Sequence, residues 1–148
     1  MSVEESTPIL EKFLDSVSEV PFTRDPDGDY VVTFAGAKFY ARLQNEVRTI
    51  VQIFSVVAAE LLPTSDLYAY LNNLNANLES VRAFHILNQV LFEAEIKIEE
   101  LNFTNFSFAC ESVALASDDL GTELVESFGG KPRWESNKQE NYKYGTFH

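Results

Sequence analysis

A chain of 148 residues with 11 Lys and Arg against 23 Asp and Glu carries a net charge of −12, and 45% of it is apolar, including 12 Phe and 6 Tyr. That length and apolar fraction suit one globular domain burying roughly 70% of its unfolded surface, and they exclude disorder throughout. The acidic balance argues against nucleic acid and anionic membranes as partners, since both are held by clustered Lys and Arg, and the single Cys110 excludes an intramolecular disulfide or a thiolate metal cage.

The first 20 residues contain four Glu and one Asp and lack the basic start and apolar run of a secretory signal. No stretch approaches the roughly 20 apolar residues of a spanning helix, so a cytoplasmic protein is expected. Thr7-Pro8 predicts a helix start, with the hydroxyl as cap and the proline at the first helical position. The helix is expected to run to about Val20, burying Ile9, Leu10, Phe13, Leu14 and Val17 at spacings of three and four. Asp25 to Asp29 (DPDGD) reads as a turn. Strands follow: Tyr30, Val32 and Phe34 alternate with polar or smaller neighbours, and so do Phe39, Ala41 and Leu43 after the Ala35-Gly36 turn. A two-residue loop there pairs Phe34 with Ala37, Val32 with Phe39 and Tyr30 with Ala41. From Thr49 to Leu61 both parities are apolar, as in a central strand covered on both faces.

Pro63 ends that strand, and Thr64 or Ser65 caps a helix repeating Leu67, Leu71, Leu74 and Leu78. Two further strands are expected at Val81 to Leu87 and Val90 to Ile98. In the second, Phe92, Ala94, Ile96 and Ile98 face inward while Glu93, Glu95, Lys97 and Glu99 face water. A two-residue loop at Asn88 puts His85 beside the apolar face; a three-residue loop puts Phe84 and Ile86 there and is preferred because it buries more carbon. A long helix from about Thr104 to Phe128 follows, with Phe106, Cys110, Val113, Ser117, Leu120, Leu124 and Phe128 on one stripe and Gly129 as its stop. The expected fold class is therefore α+β: an antiparallel sheet with flanking helices, in the order α-β-β-β-α-β-β-α. Residues 1–130 sum to −14, and 131–148 to +2, so the chain divides into a body of residues 1–130 and a basic, aromatic tail of residues 131–148.

Groups able to do chemistry are few. His85 and His148 are the only imidazoles, and no nucleophile is identifiable beside either. Cys110 lies on the inward stripe with only Glu111 near it in sequence, which suits a small hydrophobe better than a reactive thiolate. Glu93, Glu95 and Glu99 can be read as a cation site or as a solvated strand face, the second being preferred. Asp25, Asp27 and Asp29 resemble a calcium loop superficially, but the closing glutamate is missing. No glycine-rich phosphate loop is present, and neither a cofactor nor a metal is expected. Tyr68, Tyr70, Asn72 and Asn75 give the second helix a polar, aromatic surface suited to holding a partner protein; equally, the tyrosine rings can pack on the core with their hydroxyls in water. Trp134, Tyr142, Tyr144 and Phe147 are candidate partner contacts in the tail. Attraction to the acidic body can dock that tail on its own or a neighbouring subunit, where it would cover the partner site, or it can remain a mobile terminus.

The segments DGDYVV (27–32), LYAYLNNLNANL (67–78) and ESVALASDDLGTELVESFGG (111–130), set in that element order, resemble the type III secretion chaperone-like fold, and especially its YbjN branch, over most of residues 7–130. The resemblance implies a compact α+β homodimer that holds a segment of another protein, without enzymatic activity or cofactor. The chain is accordingly read as a non-catalytic protein-binding module, a chaperone or assembly adaptor. The alternative is a small ligand-binding domain or enzyme with a pocket between sheet and helix.

Overall fold

The computed structural model describes residues 2–132. The first helix, α1 (Val3–Val17), starts earlier than the Thr7-Pro8 signal implied, because Ser2 caps it. Its hydroxyl accepts the Glu5 amide at 3.1 Å while the Glu5 carboxylate accepts the Ser2 amide at 3.4 Å, satisfying two orphan donors at once. Pro8 lies inside the helix, which ends at Val17 where the Ser18 amide closes on Leu14 O.

Among the described residues, six strands form one antiparallel sheet in the order β1-β2-β3-β4-β6-β5. They are β1 (Thr23–Arg24), β2 (Tyr30–Phe34), β3 (Ala37–Gln44), β4 (Ile50–Ala58), β5 (Arg82–Ile86) and β6 (Gln89–Lys97). The two-residue β1, too short to leave an alternation in the sequence, precedes the DPDGD turn and pairs with β2. The β2–β3 register is the expected one, with Phe34 opposite Ala37 and Tyr30 opposite Ala41. All nine residues of β4 are buried, as its double apolar parity required.

The β5–β6 hairpin departs from the preferred reading. Ile86 pairs with Gln89, so Leu87 and Asn88 form a two-residue loop, both with positive φ (53° and 57°), as a type I′ turn demands. His85 therefore stands opposite Val90 on the helix-covered side, while Phe84 and Ile86 turn to the other face. Burial of carbon did not discriminate because that second face is apolar too. Glu93 is the second correction: it does not face water but is 1% exposed. Arg82, directly opposite it, places its guanidinium 2.5 Å from the carboxylate, and Gln52 from β4 also donates to it. A buried carboxylate with paired donors is tolerable where a bare one is not.

Thr64 caps α2 (Ser65–Asn77) by accepting the Leu67 amide, and Asn102 caps α3 (Phe103–Phe128) through Asn105. A 3-10 turn (Ile98–Glu100) links β6 to α3. Leu10 and Leu14 of α1, Leu67 and Leu71 of α2, and Phe106, Cys110, Val113 and Leu124 of α3 share one core with Tyr30, Val32, Phe39, Val51, Ile53 and Phe92 of the sheet. Burial pushes the Cys110 thiol well above its ordinary range, consistent with a packed hydrophobe. Gly121 lets α3 approach β4, with Val57 3.7 Å from the position of a missing Cβ. After α3, Lys131 pairs with Ala59 just beyond β4. Gly130 makes that approach possible: at φ +75°, a Cβ would meet Ala59 O at 2.7 Å.

Two stability tests arise here. The Tyr30 hydroxyl donates to Glu11 at 2.6 Å, and burial, reinforced by that bond, pushes its pKa to about 12. The unfolded chain loses this proton near pH 10, so the contribution is fully present below pH 10 and disappears as pH rises to 12. Denaturation midpoints measured from pH 9 to 12 should fall through that window, and Tyr30→Phe should flatten the fall. Gln89 is 1% exposed, and its carboxamide oxygen and nitrogen find no hydrogen-bond partner among the described residues. Gln89→Leu is expected to add about 1–2 kcal/mol, because an unsatisfied buried amide is replaced by carbon of similar size. Its Tm should rise by several degrees; an unchanged or lower Tm contradicts that reading.

Candidate functional site

The four expected contact residues of α2 divide into two pairs. The Asn75 carboxamide donates to Ala83 O at 2.8 Å and accepts the Ala83 amide at 2.7 Å, imitating a neighbouring strand on the outer edge of β5 and blunting it. Tyr70 is half-buried, its ring edge-on to Phe128 at 5.1 Å, joining α2 to α3; burial and Glu123 push its hydroxyl pKa up. Tyr68 and Asn72 are exposed and take no part in those links. Trp134, Tyr142, Tyr144 and Phe147 lie outside the described residues.

Tyr68 stands in a group that sequence spacing did not reveal. Its ring meets His85 edge-on at 6.0 Å. His85 Nε2 is 2.7 Å from Leu61 O, and a carbonyl only accepts, so that nitrogen carries the proton. The Leu61 amide donates to Asn88 O at 2.9 Å. These bonds tie the β4–α2 connection to the β5–β6 turn and bring together Leu62 (69% exposed), Tyr68 (52%) and Leu87 (42%). The segments that these bonds tie together thus present three large apolar side chains to solvent, a surface suited to apolar side chains of another chain. Leu87 carries a further mark: it holds a left-handed turn position usually given to Asn or Gly, and such strain concentrates where the side chain has a task.

Elsewhere the chemistry is structural. The Asp25, Asp27 and Asp29 carboxylates lie within 4.8 Å of one another. Asp25 Oδ1 accepts the Asp27 and Asp29 amides at 3.0 Å each, and Asp29 receives a bidentate grip from Arg42 of β3, with Arg42 Nε 2.7 Å away. Both side chains of this pair are under 10% exposed. Beside the buried Glu93, Glu95 has its pKa raised by burial and by the Glu93 charge, with Arg82 opposing. A cavity of about 420 Å³ is lined by residues of the C-terminal half of α3, of β3 and of β4. Lys38, Asp118 and Glu126 are its charged lining residues, and no imidazole or thiol is among those described. None of the described helices is long and apolar enough to cross a membrane.

Comparison with curated proteins gives no match. Among solved structures, the fold is similar to a chain in the crystal structure of the ExsC–ExsE complex, at TM-score 0.62 and 14% identity over 84% of this chain and 97% of that one. It is also similar to a chain in the HopA1–SchA chaperone–effector complex, at TM-score 0.57 and 13% identity over 82% and 98%. At those identities the likeness speaks for the fold. A family described as T3SS (YopN, CesT) and YbjN peptide-binding chaperone 1 matches residues 4–136. With nearly all of the α+β body inside that match, the chain belongs to the TY-Chap1 family of peptide-binding chaperones.

Proposed function

We propose that this protein is a non-catalytic, cytoplasmic chaperone that holds an extended segment of a partner protein against the patch of Leu62, Tyr68 and Leu87. Family membership supplies the class of activity, and the exposed patch around His85 is the observation that carries the location. Residues 1–130 sum to −14, so segments mixing apolar side chains with Lys or Arg are favoured, because charge complementarity steers encounter and selects partners. The division into a body of residues 1–130 and a tail of residues 131–148 is part of this proposal. Thermal shift with two panels tests it: basic-apolar peptides should raise Tm by mass action, while metabolites and metal ions should not. A metabolite or cation that stabilises the protein, with peptides inert, favours the small-ligand reading and its α3–β4 cavity.

The same proposal includes a homodimer. Phe108 and Leu115, 55% and 48% exposed, stand seven residues apart on the outer side of α3, a spacing that aligns them on one helix face. Light scattering at micromolar concentration should give twice 16.7 kDa, and Phe108→Glu should halve that mass. A monomer mass at every concentration removes the dimer from the proposal.

A further inference from the structure

We infer that the cavity between α3 and the end of β4 receives a lysine or arginine side chain of the bound segment. The inference rests on the partner-binding reading and deepens it by naming the residue type that a second site selects. The space arises where strands part. The β3–β4 ladder ends at Tyr40 and Phe54; beyond it, residues 37–39 stay paired to β2 and residues 55–58 to β6. The C-terminal half of α3 lines the opening. Gly121 keeps it roomy, since its missing Cβ would stand 3.7 Å from Val57. The resulting volume of about 420 Å³ falls in the range, roughly 300–1,000 Å³, of cavities that hold ligands.

Two independent features select a cation. Ser55 of β4 lines the cavity on the strand face opposite that of Phe54, and it is only 5% exposed. Its hydroxyl has no hydrogen-bond partner among the described residues, so it offers lone pairs to an incoming N–H donor. At the rim, Asp118, Thr122 and Glu126 follow one another at four-residue spacing on one face of α3, two carboxylates against the single base Lys38. The C-terminal end of a helix repels carboxylates and attracts cations. Yet α3 contains no Lys or Arg, and residues 118–126 carry four carboxylates, an arrangement that a bound cation relieves. Val57 and Val125 supply apolar wall for the methylene stem behind the charge. Pro132 also lines the cavity, Lys131 pairs with Ala59, and Leu62 follows Ala59 by three residues. Cavity and apolar patch thus adjoin the same end of β4, as suits one segment that mixes basic and apolar side chains.

A labelled peptide alternating Leu and Lys, and its counterpart with every lysine acetylated, test the inference on the full chain. The lysine peptide should bind the wild type at least ten-fold more tightly than the acetylated one. Asp118→Asn with Glu126→Gln, both at exposed positions, should raise its Kd at least ten-fold at an equal or higher Tm. Glu111→Gln with Asp119→Asn removes the same charge from exposed α3 positions outside the cavity lining and should raise Kd less than three-fold. Equal effects of the two pairs reduce the selection to general charge attraction and overturn the inference. Ser55→Ala should weaken the lysine peptide at least three-fold and leave the acetylated one unchanged; an unchanged lysine peptide overturns it too. Binding that falls in Tyr68→Ser, Leu87→Asn but ignores Asp118 and Glu126 sinks the inference and leaves the partner-binding reading standing, whereas no binding to the wild type removes both.

Discussion

Asp29→Ala is expected to remove about 3–5 kcal/mol of stability, which is a large share of the 5–15 kcal/mol typical of a domain. Asp29 ends the DPDGD turn and meets Arg42 of β3 through a bidentate, charge-assisted contact with both side chains under 10% exposed. Removing the carboxylate leaves the guanidinium in a low-dielectric site without that counter-charge, and it cuts the tie between the turn and β3. The double variant Asp29→Ala, Arg42→Met should recover part of the loss, since no stranded charge remains. Urea denaturation of the wild type and both variants checks this. A single-variant loss below about 1 kcal/mol would show that the pair behaves as an exposed one.

Leu87→Asn should move stability and binding in opposite directions. Leu87 occupies a left-handed position at φ 53° with 42% of its surface exposed, so asparagine relieves strain at little packing cost. A gain of about 1 kcal/mol, or about 2–4 °C in Tm, is expected. The same change deletes one of three apolar contacts of the patch and should weaken peptide binding several-fold. A residue kept only for folding would not show that inversion: in that case binding would be unchanged in the more stable variant.

The two hairpins show what the sequence makes legible. At Ala35-Gly36 the glycine advertises a left-handed turn, φ reaches 52° and 78°, and the register of β2 on β3 is readable residue by residue. At Leu87-Asn88 the same turn is built with a leucine, which turn chemistry does not suggest, so carbon burial favours a loop one residue longer than the one that forms. Parity on β6 then misassigned Glu93 to water, because its partners Arg82 and Gln52 arrive from two neighbouring strands and pair only in the true register. Helix α2 and the central β4 were legible because their Leu repeat and double apolar parity are local signals. The patch was not: Leu62 and Leu87 lie 25 positions apart, and one backbone bond from Leu61 to Asn88 O brings their neighbourhoods together. Only Tyr68 of that group carried a signal in the sequence, as an exposed aromatic on an otherwise polar helix face.

Titration of labelled basic-apolar peptides that bind the wild type into a Tyr68→Ser, Leu87→Asn protein tests the central claim most directly. Both substitutions lie at exposed positions, so the fold is retained and a change in affinity reports the surface itself. The account predicts at least a ten-fold rise in Kd with Tm equal to or above that of the wild type; an unchanged Kd would place the peptide elsewhere on the molecule and contradict it.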